Sequence, residues 1–317
     1  MANTRSQEML VRAATLYYLE GYSQSEVAAA IGVSRSNVSR VLSDARRTGI
    51  VTIQINDPFA RSNDLEKILI ERYGLRECRV AGGSGGDTPL AQIGQLGAAW
   101  LSDNLPAKGA IALSWGASVQ SVVDAVEVES PHSGIEVLPL VGGLSITDSA
   151  RDGNVLVRSL ANKIGAQHRR LYAPAVVGSA ELRAGLMAED SIRSVLDSAA
   201  EARIAIVGVG AVGSGASSAI VESMQLTKQQ RDEFENSGAV GDCCTRFFDA
   251  DGKVVQSVVN ERVVALELEQ LREIPTVVGV AAGRNKAPGV HAAAQSGLFD
   301  VLIIDAELGL ELIKLHK

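Results

Sequence analysis

Apolar residues along this chain keep two rhythms, and one gives way to the other near Asp57. Over residues 7–20, Met9, Leu10, Ala13, Leu16 and Tyr17 recur at helical spacing, which predicts a helix ended by Gly21. A second helix is expected over 24–31, and a third after Ser34, where Val38, Val41 and Leu42 fall at i, i+3 and i+4 on one face. The alternating run 50–55 suits a wing strand, Asp57-Pro58 breaks it, and a helix follows over 63–73. From there short β-rich runs alternate with amphipathic stretches, the pattern of a parallel sheet with covering helices. Strands are predicted over 77–81, 110–115, 135–141, 169–174, 203–209, 276–282 and 300–305. Residues 247–259 read as a hairpin turning at Asp251-Gly252. The expected fold is α/β: a small N-terminal winged helix-turn-helix over 1–56 and a Rossmann-like, doubly wound body over 57–317.

The stretch 22–48 carries the clearest chemistry. Ser23 with Glu26 three positions on forms a capping box, and Gly32 supplies the positive φ that a tight inter-helix corner requires. Ser34 caps the next helix, whose polar face carries Arg35, Ser36, Asn37, Ser39 and Arg40. Arg grips guanine and Asn grips adenine bidentately, and the leading end of a recognition helix is the part that meets base edges. Arg46 and Arg47 at the trailing end suit phosphate contact.

At 317 residues, two domains are expected. The formal net charge of −7 argues against a nucleic-acid binder until it is divided along the chain. Through Gly49, six basic residues face four acidic ones, a net +2, whereas the other 24 basic and 33 acidic residues give −9. Only the head's local field has to favour phosphate. No apolar run reaches the roughly 18 residues of a membrane span and the N-terminus lacks a signal peptide's apolar stretch, so a cytoplasmic protein is expected. Cys78, Cys243 and Cys244 fit neither a disulfide framework nor a CxxC knuckle and are expected as buried free thiols.

In the body, the residues after the strands are informative. Small-residue loops GAS, GGLS, GAVGSG and GRNK follow four of the predicted strands, as the ligand crevice of an open α/β sheet requires. Backbone N–H groups and helix N-termini there can hold an anion, commonly a phosphate. Gly208-Val-Gly210-Ala-Val-Gly213 is a literal GxGxxG, but no second strand with an acidic residue follows at the distance a dinucleotide site needs, so no cofactor is expected. The four histidines show no metal-ligand spacing and there is no GxSxG elbow. Lys286, after a Gly-Arg-Asn loop, is placed to meet a phosphate or a sugar carbonyl.

The segments LYYLEGYSQSEVAAAIGVSRSNVSRVLSDARRTGIVTIQI, ALSWGASV, LPLVGG, IVGVG, SGAVGD with DADGKVV, VAAGRNKAPGVHAA and DVLIID, in that order, resemble the SorC family of sugar-responsive bacterial transcription regulators. The resemblance implies a winged helix-turn-helix head and a body related in fold to sugar-phosphate isomerases and deaminases. It also implies a phosphorylated sugar or polyol as effector and a dimer or tetramer on palindromic operator DNA. It puts the phosphate loop on Ser114, Trp115, Gly116, Ala117 and Ser118, with Ala117-Ser118 where many members have threonines. Asn154, Asp242 and Lys286 match polar positions facing the sugar, and Gly143 and Gly210 match loop glycines. Asp305-Ala306-Glu307 departs from the family pattern and receives no ligand role. The LVGGL segment has no lysine, so a noncovalent complex is expected where some members form a Schiff base. The competing reading is a sugar-phosphate isomerase- or deaminase-like enzyme, which would need an acid/base pair in the crevice.

Overall fold

The computed structural model describes residues 2–51, 61–82, 87–144 and 152–315, with side chains described from residue 7. By its contacts the chain divides into two compact units, Met1–Asn56 and Asp57–Lys317.

In the first unit α1 (Ala2–Ala14) runs into a π-helical turn, Thr15–Leu19, and is followed by α2 (Gln24–Ile31) and α3 (Arg35–Arg47). Both halves of the Ser23–Glu26 capping box are present, at 2.8 and 3.3 Å. Gly32 ends α2 at φ 73° with open space where a Cβ would sit, so backbone conformation alone asks for glycine there. Leu10, Ala13, Val27, Val38, Val41, Leu42 and Ala45 close a three-helix core. Of the wing strand expected over 50–55, residues 52–55 lie outside the described residues, as does the Asp57-Pro58 break; Ile50 and Val51 form a bend.

The second unit opens with α4 (Asn63–Tyr73), β1 (Glu77–Ala81), α5 (Pro89–Asn104), β2 (Gly109–Leu113), α6 (Ala117–Ala125) and β3 (Ile135–Pro139). It continues with α7 (Gly153–Ile164), β4 (Gln167–His168), α8 (Ala180–Ala188), α9 (Asp190–Ala200), β5 (Ile204–Ala211), α10 (Gly215–Ser223) and α11 (Lys228–Glu235). A short hairpin, β6 (Gly241–Cys243) and β7 (Arg246–Phe248), precedes α12 (Leu268–Arg272), β8 (Val277–Ala281), α13 (Ala287–Gln295), β9 (Val301–Asp305) and α14 (Ala306–Leu315).

The main sheet is parallel, in the order β1-β9-β8-β5-β2-β3-β4, and β6 pairs antiparallel with the end of β5. Alternate strand residues feed two cores. Ile111, Leu113, Ile206, Val280 and Ile303 pack under α5, α6 and α7, while Ala112, Val207, Ala281 and Ile304 pack with residues of α4, α13 and α14. Strands so covered on both faces read as continuous apolar runs, as these do. The chain works outward from β2 to β4 and then returns to lay β5 against the other side of β2, so the β2/β5 junction is the switch point where such sheets open a crevice.

Two expected elements are different. Residues 169–174 do not form a strand: β4 stops at His168, Leu171 is held by the side chain of Asn154, and Pro174, lacking an N–H, makes one isolated bridge to Gly143. The hairpin expected over 247–259 is a tight turn at Asp249–Lys253 with a single bridge, Phe248 to Val254; β7 takes its ladder from β6 instead.

Candidate functional site

At the carboxyl ends of β2, β5 and β8 lies a cavity of about 430 Å³. Its walls come from the loop 114–118, the strand end 208–211, the start of α10, the β6–β7 turn, and Asn285 with Lys286. Three helices begin at it. Gly116, at φ 112°, turns the chain out of β2 into α6, and the first-turn N–H groups of that helix have no intrahelical acceptor. Residues 214–217 open α10 on a second wall, where Ser214 makes no capping hydrogen bond to its own helix. The turn Arg284–Lys286 leads into α13 on a third. Converging N-termini give a concavity that favours an anion.

The side chains follow from these elements. Ser114, buried, accepts at its hydroxyl from the Gly208 N–H at 3.1 Å, tying the β2 loop to β5. Lys286 Nζ donates to Ser118 Oγ at 3.4 Å, and Asn285 Nδ2 donates to Ser214 Oγ at 3.4 Å. The Ser217 hydroxyl donates to Asp242 Oδ1 at 2.5 Å. Gly210 lies beneath that pair, and a Cβ there would fall 2.0 Å from Asp242 Oδ1 and 2.1 Å from Ser217 Oγ. Asp305 stays outside the cavity and braces it, accepting from the Gly283 N–H at 2.6 Å and from Leu308 at 3.1 Å.

Charge in the cavity is carried by Asp242 and Lys286, whose burial and mutual attraction act in opposite directions. Burial pushes the Asp242 carboxyl up, and the Ser217 hydroxyl, the Lys286 ammonium and the Thr245 N–H pull it back. Burial pushes the Lys286 ammonium down, and Asp242 with Asp305 pulls it back. A cation, a carboxylate and small hydroxyls around unpaired helix N–H groups can hold an anion at one end and accept from hydroxyl groups at the other. Cys243 and Cys244 are free and buried; the Cys243 thiol is held up by its hydrogen bond with Cys244 and by burial. Among the described residues no cluster of His, Cys, Asp or Glu could hold a metal ion, and no helix is long and apolar enough to cross a membrane.

On the head, Ser34 caps α3 by accepting from the Asn37 N–H at 3.3 Å. Val38, Val41, Leu42 and Ala45 are buried, which leaves Ser34, Arg35, Ser36, Asn37, Ser39, Arg40, Arg46 and Arg47 all exposed. Arg47 pairs with Asp44 at 2.9 Å; among the described residues Arg35, Arg40 and Arg46 have no ion pair.

Residues 57–314 match the "Putative sugar-binding domain" family, and residues 14–48 match region 4 of Sigma-70. The full-length sorbitol operon regulator SorC of Klebsiella pneumoniae superimposes with a TM-score of 0.72 at 26% identity, covering 96% of this chain and 98% of its own. The chain belongs to the SorC family. Its relatives include the deoxyribonucleoside regulator of Bacillus subtilis, 29% identical over 94% of this chain and 95% of that protein. The LsrR regulator of Klebsiella pneumoniae is 28% identical over 90% and 87%.

In this member of the SorC family, Ser114, Gly116, Ala117, Ser118, Gly210, Asp242 and Lys286 come together around one cavity. Gly143 and Asn154 do not line it. Asn154 clasps the backbone of Leu171 in both directions, at 2.9 and 3.1 Å, and Gly143 admits Asp152 so closely that a Cβ would meet its Oδ2 at 2.6 Å. Sequence reasoning missed Ser214, Ser217 and Thr245, which line the cavity. Ser214 is the N-cap of α10 and Ser217 lies in its first turn, where a Ser-Gly-Ala-Ser opening after a strand was the available signal. Thr245 sits in a two-residue turn that no periodicity reveals.

Proposed function

We propose that this chain is a transcriptional regulator that binds operator DNA through α3, with an affinity set by a phosphorylated sugar or polyol held in the cavity of the body. The observation that carries the effector half is the convergence of three helix starts and Lys286 on a space that also holds the buried Asp242 carboxyl. The phosphate would lie at 116–118 and Lys286, and sugar hydroxyls would reach Asp242. No lysine occupies the LVGGL segment, which supports a noncovalent complex. For DNA, Arg35 and Asn37 would read bases and Arg46 would contact phosphate. A head of net charge +2 makes few phosphate contacts, so a homo-oligomer presenting two heads to a palindromic site supplies the remaining affinity. Binding to chromosomal operators sets its place of action in the cytoplasm.

The test is a thermal-shift screen of phosphorylated sugars and polyols, followed by operator binding with and without each hit. A ligand at a hundredfold its Kd stabilises the folded chain by about 2.7 kcal/mol. A chain that ignores every such compound, or whose DNA affinity no hit changes, overturns the reading. The Asp242–Lys286 pair favours a second reading, since two groups of opposed charge with perturbed pKa values also suit an isomerase or deaminase. Turnover of any hit would support it.

A further inference from the structure

The hairpin between β6 and β7 turns on Cys244 at φ 50° and Thr245 at φ 66°. A two-residue turn with both φ values positive ordinarily calls on Asn, Asp or Gly, and a β-branched residue in the left-handed region is an outlier. Strain of this kind persists where the surroundings hold it and where it serves a site. Here the turn forms part of the cavity wall.

The side chain of Thr245 adds a second cost. Thr245 is 1% exposed, and its Oγ1 is one of four buried side-chain polar atoms among the described residues without a hydrogen-bond partner. Two of the others, Arg246 Nε and Arg272 Nε, belong to guanidinium groups bonded through their remaining nitrogens. The last, Trp115 Nε1, belongs to an indole whose Cδ1 lies against Gly153, at the start of α7. Thr245 alone among the four offers an orphaned hydroxyl from the hairpin that carries Asp242. Asp242 already takes the Thr245 N–H and the Ser217 hydroxyl, so nothing in the wall claims the Thr245 hydroxyl. Glycine would relieve the backbone and remove the orphan together; threonine contributes over it only a hydroxyl and a methyl.

We propose that Thr245 is a specificity-determining contact for the sugar part of the effector, its hydroxyl exchanging a hydrogen bond with a sugar hydroxyl beside Asp242. The inference rests on the effector reading above and deepens it. An anionic group is disfavoured next to the Asp242 carboxylate and favoured at Ser118 and Lys286, so Thr245 faces the uncharged part of the ligand. The ligand class is a phosphorylated sugar or polyol with a hydroxyl remote from its phosphate, rather than any small phosphate.

Calorimetric titration of the full chain tests this with inorganic phosphate, ribose 5-phosphate, glucose 6-phosphate and sorbitol 6-phosphate as probes. Thr245→Ser keeps the hydroxyl and Thr245→Ala deletes it, and neither adds β-branched strain. The Ala variant is expected to bind the tightest wild-type sugar phosphate about tenfold more weakly, the Ser variant within about twofold of wild type, and both to hold inorganic phosphate as wild type does. Thr245→Gly should raise the melting temperature of the ligand-free chain while losing affinity as Ala does. Wild-type sugar-phosphate affinity in the Ala variant overturns the contact and leaves the effector reading standing. Equal losses in Ser and Ala, or a matching loss for inorganic phosphate, also overturn it by assigning the effect to the turn's geometry. A wild-type chain that binds none of the sugar phosphates removes the effector reading and this inference with it.

Discussion

Lys286 and Ser118 stand 168 positions apart in sequence, yet the lysine ammonium donates to the serine hydroxyl at 3.4 Å across the cavity. The contact joins the first turn of α6, which follows β2, to the turn after β8, and the two strands are separated in the sheet by β5. A phosphate taken up between them would tie together three strand ends that are otherwise linked mainly by serine and asparagine contacts. Ligand binding then stabilises one arrangement of these loops, which is what a switch requires.

Replacing Lys286 by Ala removes the cavity's cation and leaves α3 unchanged. Its sugar-phosphate affinity should fall by at least tenfold, the loss of one charge-assisted hydrogen bond of about 1.5–3 kcal/mol. Operator affinity without ligand should stay within about twofold of wild type by electrophoretic or anisotropy titration, since the substitution removes none of the α3 side chains. Loss of ligand-free DNA binding by a folded variant would move Lys286 out of the effector site.

Gly210→Ala tests the close approach beneath Asp242. The new Cβ would lie 2.0 Å from Asp242 Oδ1 and 2.1 Å from Ser217 Oγ, both on buried residues, so the 2.5 Å hydrogen bond between them cannot survive in place. Breaking a buried hydrogen-bonded pair costs on the order of 1–3 kcal/mol, and the melting temperature should drop accordingly. A variant as stable as wild type, with unchanged effector affinity, would mean that the β6 hairpin gives way freely.

Much of the architecture was legible because the strong elements repeat their periodicity. The expected bounds of α4 and β1 agree to the residue with Asn63–Tyr73 and Glu77–Ala81, and the capping box, Gly32 corner and α3 core face are as the spacing predicts. The failures are where a single side chain decides the path. Asn154 takes the backbone of Leu171 and cancels the strand expected over 169–174, and β6 is three residues long, too short to show a period. The cavity was legible as loops after strands. Its Asp242–Ser217 pairing was not, because it depends on β6 folding back antiparallel on β5.

On the head, the three trailing and leading arginines should separate by function. Arg35→Ala should weaken operator binding by about 1–3 kcal/mol and relax sequence preference, as loss of a base contact does. Arg46→Ala, exposed and without an ion partner among the described residues, should weaken operator and random DNA alike and reduce the salt slope by about one. Arg47 is already paired with Asp44, so Arg47→Ala should change the slope less. Equal losses on operator and random DNA for Arg35→Ala would take base reading away from it.

The titration of Lys286 sets the sign of a pH dependence in effector binding. Burial lowers its folded-state pKa below the ordinary 10.5, because the charged form loses hydration there and Asp242 and Asp305 restore it only in part. The stability this residue contributes is therefore full above 10.5 and is lost as pH falls through the lowered folded value. An anion bound beside the ammonium shifts the balance the other way, raising the pKa in the complex. Binding then takes up protons in the window between the two values, and affinity for a phosphorylated ligand should decline as pH rises, beginning below 10.5. Calorimetry in buffers of different ionisation enthalpy reads the proton uptake directly, and Lys286→Ala should abolish both the uptake and the decline. An affinity flat from pH 7 to 10.5 in the wild-type chain would show that the bound anion does not face Lys286.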